Sequence, residues 1–126
     1  MQRIFGGRLK GKAIYTLPKL LSARPTMAKV RESIFQRLED HLGHDWSGIR
    51  FLDGFAGSGI MGFEALSRGA QYVMAVERDA NQTGVLVRQA KMFEIGPDQF
   101  RVIYRNLESV VSKPPPEGLP FDLVFL

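Results

Sequence analysis

The residue pattern predicts an α/β domain with a parallel, doubly wound sheet, preceded by a small hairpin and a helix. From residue 49 onward, short runs dense in Val, Ile, Phe and Ala alternate with stretches of helical spacing, the order that builds βαβ units. The first run ends in a carboxylate and a glycine-rich turn, Asp53-Gly54-Phe55-Ala56-Gly57-Ser58-Gly59. Before residue 25 the chain instead carries glycines, basic residues and two short β-type runs.

Each element follows from its own signals. Arg3-Ile4-Phe5 and Lys12-Ala13-Ile14-Tyr15 are the arms of a hairpin ending at Arg24-Pro25, so residues 1–25 read as a basic β-hairpin arm and 26–126 as the body. Thr26 stands where an N-cap would, and Val30, Ile34, Phe35 and Leu38 follow at helical spacing to about His41, with Gly43 as the stop. Residues 49–53 form the first strand of the body, and 60–67 the helix after its turn, closed by Gly69. The stretch 72–77, rich in Val, Ala and Met, suits a strand buried on both faces. A helix over 80–93 places Val85, Leu86, Ala90 and Phe93 on its apolar side. Residues 100–104, 107–111 and 121–126 complete the pattern as strand, short helix and strand.

At 126 residues there is room for one domain, and 44% hydrophobic with 24% charged residues is an ordinary globular balance. No apolar run approaches the ~20 residues of a membrane-crossing helix, and the N-terminus has no apolar core of signal-peptide length. The absence of cysteine removes disulfides, thiolate metal sites and thiol nucleophiles together; a cytoplasmic location is expected. The net charge of +4 is unevenly spread, since residues 1–50 hold ten of the 17 basic side chains against four of the 13 acids. Such a basic arm has two readings of equal weight, a polyanionic partner or a merely solvated surface.

Chemistry concentrates at the turn after the first strand. Glycines there let the backbone bend tightly and approach a ligand, and Asp53 sets a carboxylate at the strand end. A second carboxylate, Glu77, ends the next strand in Ala75-Val76-Glu77-Arg78-Asp79. Its two acceptor oxygens match the two hydroxyls of an adenosine ribose. Gly57-Ser58-Gly59-Ile60-Met61-Gly62 also spells the dinucleotide fingerprint G-x-G-x-x-G, which makes an NAD-binding oxidoreductase a rival reading. Against it, Gly54-Phe55-Ala56 separate the hexapeptide from the strand, and Asp53 would put a negative charge beside a pyrophosphate. S-adenosylmethionine carries a sulfonium and an ammonium group, and a carboxylate suits both. Asn106, just beyond the third strand, could meet an adenine edge, although turn chemistry explains it better when it is taken alone.

Other candidates lead elsewhere. Ser58 has no neighbouring His to activate it as a nucleophile. His41 and His44 sit at a helix end beside Gly43, where a dipole-favoured cap is expected rather than a metal. Phe5, Tyr15 and Phe35 are expected in the core rather than stacked on bases.

Three blocks together resemble the RsmD family. They are Ile4-Phe5-Gly6-Gly7-Arg8-Leu9-Lys10-Gly11-Lys12, then Arg24-Pro25-Thr26 through Val30-Arg31-Glu32-Ser33-Ile34-Phe35, then Leu52-Asp53-Gly54-Phe55-Ala56-Gly57-Ser58-Gly59 with Glu64-Ala65-Leu66-Ser67-Arg68-Gly69. Members of that family methylate the exocyclic N2 of a guanine in 16S ribosomal RNA. The resemblance implies a Rossmann-like, class I S-adenosylmethionine-dependent methyltransferase core. It also implies a cofactor set of Asp53, Gly54, Phe55, Gly57, Ser58, Gly59, Glu77, Arg78 and Asn106, and RNA contacts from Arg8, Lys10, Lys12 and Arg24 on the arm.

The family places Asp-Pro-Pro-Tyr/Phe directly after its fourth strand, and this chain stops at Leu126, where that motif should begin. In the family the motif accepts hydrogen bonds from the target amine and stacks on the flipped base. The expectation is therefore an incomplete parallel sheet carrying the cofactor half, with Asp122 inside its last strand and no turnover of its own. An unpaired strand there is an aggregation hazard, and a monomer is expected only of the complete protein. A non-catalytic RNA- or cofactor-binding module is the remaining rival.

Overall fold

The structure is a computed structural model and describes residues 2–15, 25–113 and 120–126, so Arg24 lies outside the described residues. Strands β1 (Gln2–Arg3) and β2 (Ala13–Ile14) pair antiparallel, with Gln2 opposite Ile14. Helix α1 spans Pro25–His41. It begins one residue before the expected cap, so Thr26 is its second residue; proline suits the first helical position because its missing N–H has no partner there anyway. Gly43 (φ 63°) ends the helix, and the His44 N–H returns to the Glu39 carbonyl at 2.8 Å, which satisfies a carbonyl of the last turn.

The body is β3 (Arg50–Asp53), α2 (Ile60–Arg68), β4 (Tyr72–Glu77), α3 (Ala80–Met92), β5 (Phe100–Tyr104), α4 (Leu107–Ser112) and β6 (Leu123–Phe125). All four strands run parallel in the order β5-β4-β3-β6. The chain thus builds outward from β3 on one side, then crosses to place β6 on the other, which puts a switch point at β3 and β6.

Strand side chains alternate between two layers. Phe51, Val73, Ala75 and Phe100 join the arm, α1, α2 and α3 in the larger core. Leu52, Tyr72, Met74, Val76 and Ile103 pack on the opposite face with Val110 of α4. Asp122 precedes β6 rather than lying in it; its carboxylate accepts the Arg50 N–H at 2.8 Å, so it braces the start of β3. β6 is an edge of the described sheet, with Val124 facing outward.

The arm is docked rather than free. Glu64 of α2, 0% exposed, accepts the N–H groups of Phe5 and Gly6 at 2.9 Å each, one on each oxygen. Arg68 donates to Glu64 and to Glu39 of α1, both at 2.9 Å, and Arg31 lies 3.9 Å from Glu64. The Ser67 hydroxyl accepts the Leu9 N–H at 2.9 Å, and its carbonyl accepts that of Arg8 at 2.9 Å. Gly7 (φ 79°) makes this approach possible, because a Cβ there would stand 1.9 Å from the Ser67 carbonyl oxygen.

Candidate functional site

The glycine turn joins β3 to α2 at the carboxyl end of the sheet, and every side of it is held. Its Ala56 N–H donates to the Val76 carbonyl at 3.0 Å. The Gly57 N–H donates to Glu77 Oε1 at 3.1 Å, while the Gly57 carbonyl accepts from the side-chain amide of Gln82. Gly57 and Gly59 both have positive φ, 55° and 82°, which an L side chain resists. A Cβ on Gly59 would also stand 2.5 Å from Leu86. Gly62, in the first turn of α2, lets the helix close on β4: a Cβ there would stand 2.8 Å from Val73.

Beside this turn opens a cleft of about 760 Å³. Gly54, Phe55 and Gly57 form one wall, Glu77 and Arg78 the next, and Arg105, Asn106, Leu107 and Val111 the third. Phe55 and Val111, 66% and 62% exposed, give it apolar surfaces of a kind that suit a flat base. Glu77 Oε2 accepts the Asp79 N–H at 2.8 Å, so each Glu77 oxygen already takes one backbone donor. A carboxylate has about four lone-pair sites, so two remain for a ligand. Asn106 caps α4, its side-chain oxygen accepting the Ser109 N–H at 2.8 Å, which leaves its amide nitrogen for the cleft.

Of the cofactor set read from the sequence, Gly54, Phe55, Gly57, Glu77, Arg78 and Asn106 line this cleft. Asp53, Ser58 and Gly59 lie behind that wall, buried in the turn. Asp53 is 1% exposed, and neither of its oxygens has a hydrogen-bond partner of good geometry. Burial pushes its carboxyl up to about 7; the nearby Phe55 and Gly62 N–H groups oppose that shift, and the Glu77 charge adds to it. The charge-based case against NAD is therefore weaker than the sequence suggested, since Asp53 is only partly ionised near neutral pH. A buried carboxyl without a well-formed hydrogen bond, under a glycine turn, is nevertheless fit for a cationic ligand, whose charge would hold it ionised. The Ser58 hydroxyl donates to the Gln2 side chain and caps Ile60.

On the arm, Arg8, Lys10 and Lys12 are exposed. Arg31, counted with the basic N-terminal half, is 5% exposed and bound to the Arg3 carbonyl at 2.6 Å, so it faces no solvent partner. Phe35 is in the core, but Tyr15 is 58% exposed, against expectation; its N–H is fixed by Gln89 at 2.8 Å and the ring extends outward. Among the described residues, no group of three or more His, Asp or Glu side chains is placed to hold a metal, and no helix is long and apolar enough to cross a membrane. Sequence reasoning missed Gln82 and Glu64. The Asp79-x-x-Gln82 spacing reads as a capping box, and Asp79 does cap α3, but Gln82 turns to Gly57 instead.

A parallel sheet ordered around β3, with a glycine turn and a strand-end carboxylate facing one cleft, defines a Rossmann-like methyltransferase core. A solved structure of a candidate methyltransferase, yhhF, from Escherichia coli superimposes with a TM-score of 0.81 at 31% identity, covering 99% of this chain and 62% of that one. The family model described as conserved hypothetical protein 95 matches residues 2–126, and the chain belongs to that family, the RsmD family. It is 37% identical to ribosomal RNA small subunit methyltransferase D of Haemophilus influenzae over 98% of this chain and 61% of the relative. The protein of the same name in Escherichia coli K12 is 32% identical over 98% and 58%. The chain thus spans about three fifths of the length of these relatives.

Proposed function

We propose that this chain forms the cofactor-binding part of an enzyme that transfers a methyl group from S-adenosylmethionine to a guanine N2 in small-subunit ribosomal RNA. The observation that carries the reading is the pairing of two strand-end carboxylates around one glycine turn: Asp53, buried without a well-formed hydrogen bond, and Glu77, open to the cleft. Glu77 would take the ribose hydroxyls, Asp53 would balance the positive charge of the methionine end, and Asn106 with Phe55 and Val111 would hold the base. S-adenosylmethionine supplies an activated methyl on its sulfonium, and the chain's own work is alignment and exclusion of water. The similarly named relatives support ribosomal RNA as the substrate class, with Arg8, Lys10 and Lys12 as phosphate contacts.

Glu77→Ala removes a charge-assisted acceptor and should weaken binding of S-adenosylhomocysteine by ~1.5–3 kcal/mol, read by calorimetric titration. Equal affinity in wild type and variant would remove Glu77 from the site. The same titration with NAD addresses the rival that Gly57, Gly59 and the close-packed Gly62 keep open: tighter binding of NAD would favour an oxidoreductase.

The groups that orient the target amine are proposed to lie outside the residues described. The Ser58 hydroxyl is spent on Gln2, the Asn106 side-chain oxygen on capping α4, and the Asp122 carboxylate on Arg50. A guanine amine needs acceptors on its protons and a surface for the flipped base. Tritiated methyl transfer to RNA is expected from a version extended to the length of the relatives and not from residues 1–126; turnover by the shorter chain would place the catalytic groups within it.

A further inference from the structure

The arm reaches the glycine turn itself. Gln2 of β1 accepts a hydrogen bond from the Ser58 hydroxyl, and Ser58 sits between Gly57 and Gly59, the two residues of positive φ that shape the turn. Ser58 is 8% exposed, so water does not readily replace this partner. Three elements therefore grip two consecutive residues: β4 holds the Gly57 N–H through Glu77, α3 holds the Gly57 carbonyl through Gln82, and the arm holds the Ser58 side chain. We propose that Gln2 is a positioning residue of the cofactor site, and that the N-terminal arm shapes the cofactor turn as well as offering charge to RNA. The proposal rests on the cofactor reading above and extends it to an element outside the cleft.

The physical basis is conformational. A turn with two left-handed glycines has many accessible shapes when unrestrained, and a ligand that needs one of them loses affinity in proportion to the fraction that is competent. Gln2 does not touch the cleft, so its effect must pass through Ser58. The rest of the arm is docked independently, by Glu64 on Phe5 and Gly6 and by Ser67 on Leu9. Loss of the Gln2 acceptor should therefore leave the arm in place.

The test is calorimetric titration of S-adenosylhomocysteine into wild type, Gln2→Met, Gln2→Glu, Ser58→Ala and the Gln2→Met/Ser58→Ala double variant, each with its thermal midpoint. Gln2→Met keeps the side chain's length and removes its strong acceptor, while Gln2→Glu keeps an acceptor for the hydroxyl. The expected result is roughly three- to tenfold weaker binding for Gln2→Met, the scale of one net hydrogen bond. Gln2→Glu should restore most of the affinity, and the double variant should bind no more weakly than Ser58→Ala alone. Unchanged affinity in Gln2→Met, or additive losses in the double variant, would overturn the proposal. So would an affinity loss accompanied by an equal fall in thermal midpoint that Gln2→Glu does not rescue. Failure of the wild type to bind S-adenosylhomocysteine would instead strike the cofactor reading beneath it.

Discussion

Among the described residues two carboxylates are buried almost completely, Glu64 at 0% and Asp53 at 1% exposure, and their surroundings are opposites. Glu64, where the arm docks, takes two backbone N–H groups and the Arg68 guanidinium, with Arg31 close by. Asp53, under the glycine turn, takes no well-formed hydrogen bond on either oxygen. A buried charge satisfied on every side holds a fold together, whereas one left unsatisfied costs stability and is kept for something else. The same chemical group thus forms a structural joint in one region and, in the function proposed, faces the positive charge of a ligand in the other.

The comparison breaks first at the joint. Glu64→Ala should strand Arg31 and Arg68 and release the Phe5 and Gly6 N–H groups, destabilising the chain by about 3–5 kcal/mol in a denaturant titration. A loss below about 1 kcal/mol would mean that the network is decorative.

Asp53→Asn should act with the opposite sign. A carboxyl raised from 3.8 to about 7 on folding binds more protons in the folded than the unfolded chain between those values. Stability is then fully present below the unfolded pKa and is lost as pH rises through about 7. The shift corresponds to roughly 4 kcal/mol at most. Asp53→Asn should therefore raise the thermal midpoint at pH 8 and remove this part of the pH dependence. A lower midpoint at pH 8 would show that the carboxylate has stabilising partners after all.

The smallest effect concerns the outer surface of the docked arm. Replacing Arg8, Lys10 and Lys12 by Ala should flatten the salt dependence of RNA affinity by ~0.7–0.9 in log–log slope for each phosphate no longer neutralised. Stability should hardly change, because all three are exposed. A slope unaffected by the triple replacement would make the arm's charge incidental.

Much of the body was legible because its signals are local. β4 and β5 fall where the apolar runs place them, since each is a short Val- or Ile-bearing segment between turn residues. The turn was legible because a carboxylate and three glycines in seven residues leave few alternatives. The arm's docking was not: Phe5 and Glu64 are 59 positions apart, and no periodicity encodes their meeting. Arg31 misled for a related reason. A charge count treats every guanidinium as exposed, while this one is buried against the arm. Nor does composition show that Asp53 lies behind the cleft wall and is only partly ionised; that follows from packing, which alone sets desolvation.

The most direct test of the assignment of Asp53 is the pH dependence of S-adenosylmethionine affinity in wild type and Asp53→Asn. If the ligand's positive charge sits against Asp53, binding requires the ionised carboxylate and releases a proton below about pH 7. Wild-type affinity should then fall by about tenfold from pH 8 to pH 6, while Asp53→Asn binds more weakly at pH 8 and shows little change. Wild-type affinity that stays level between pH 8 and pH 6, or an Asn variant that binds as tightly as wild type, would contradict the account.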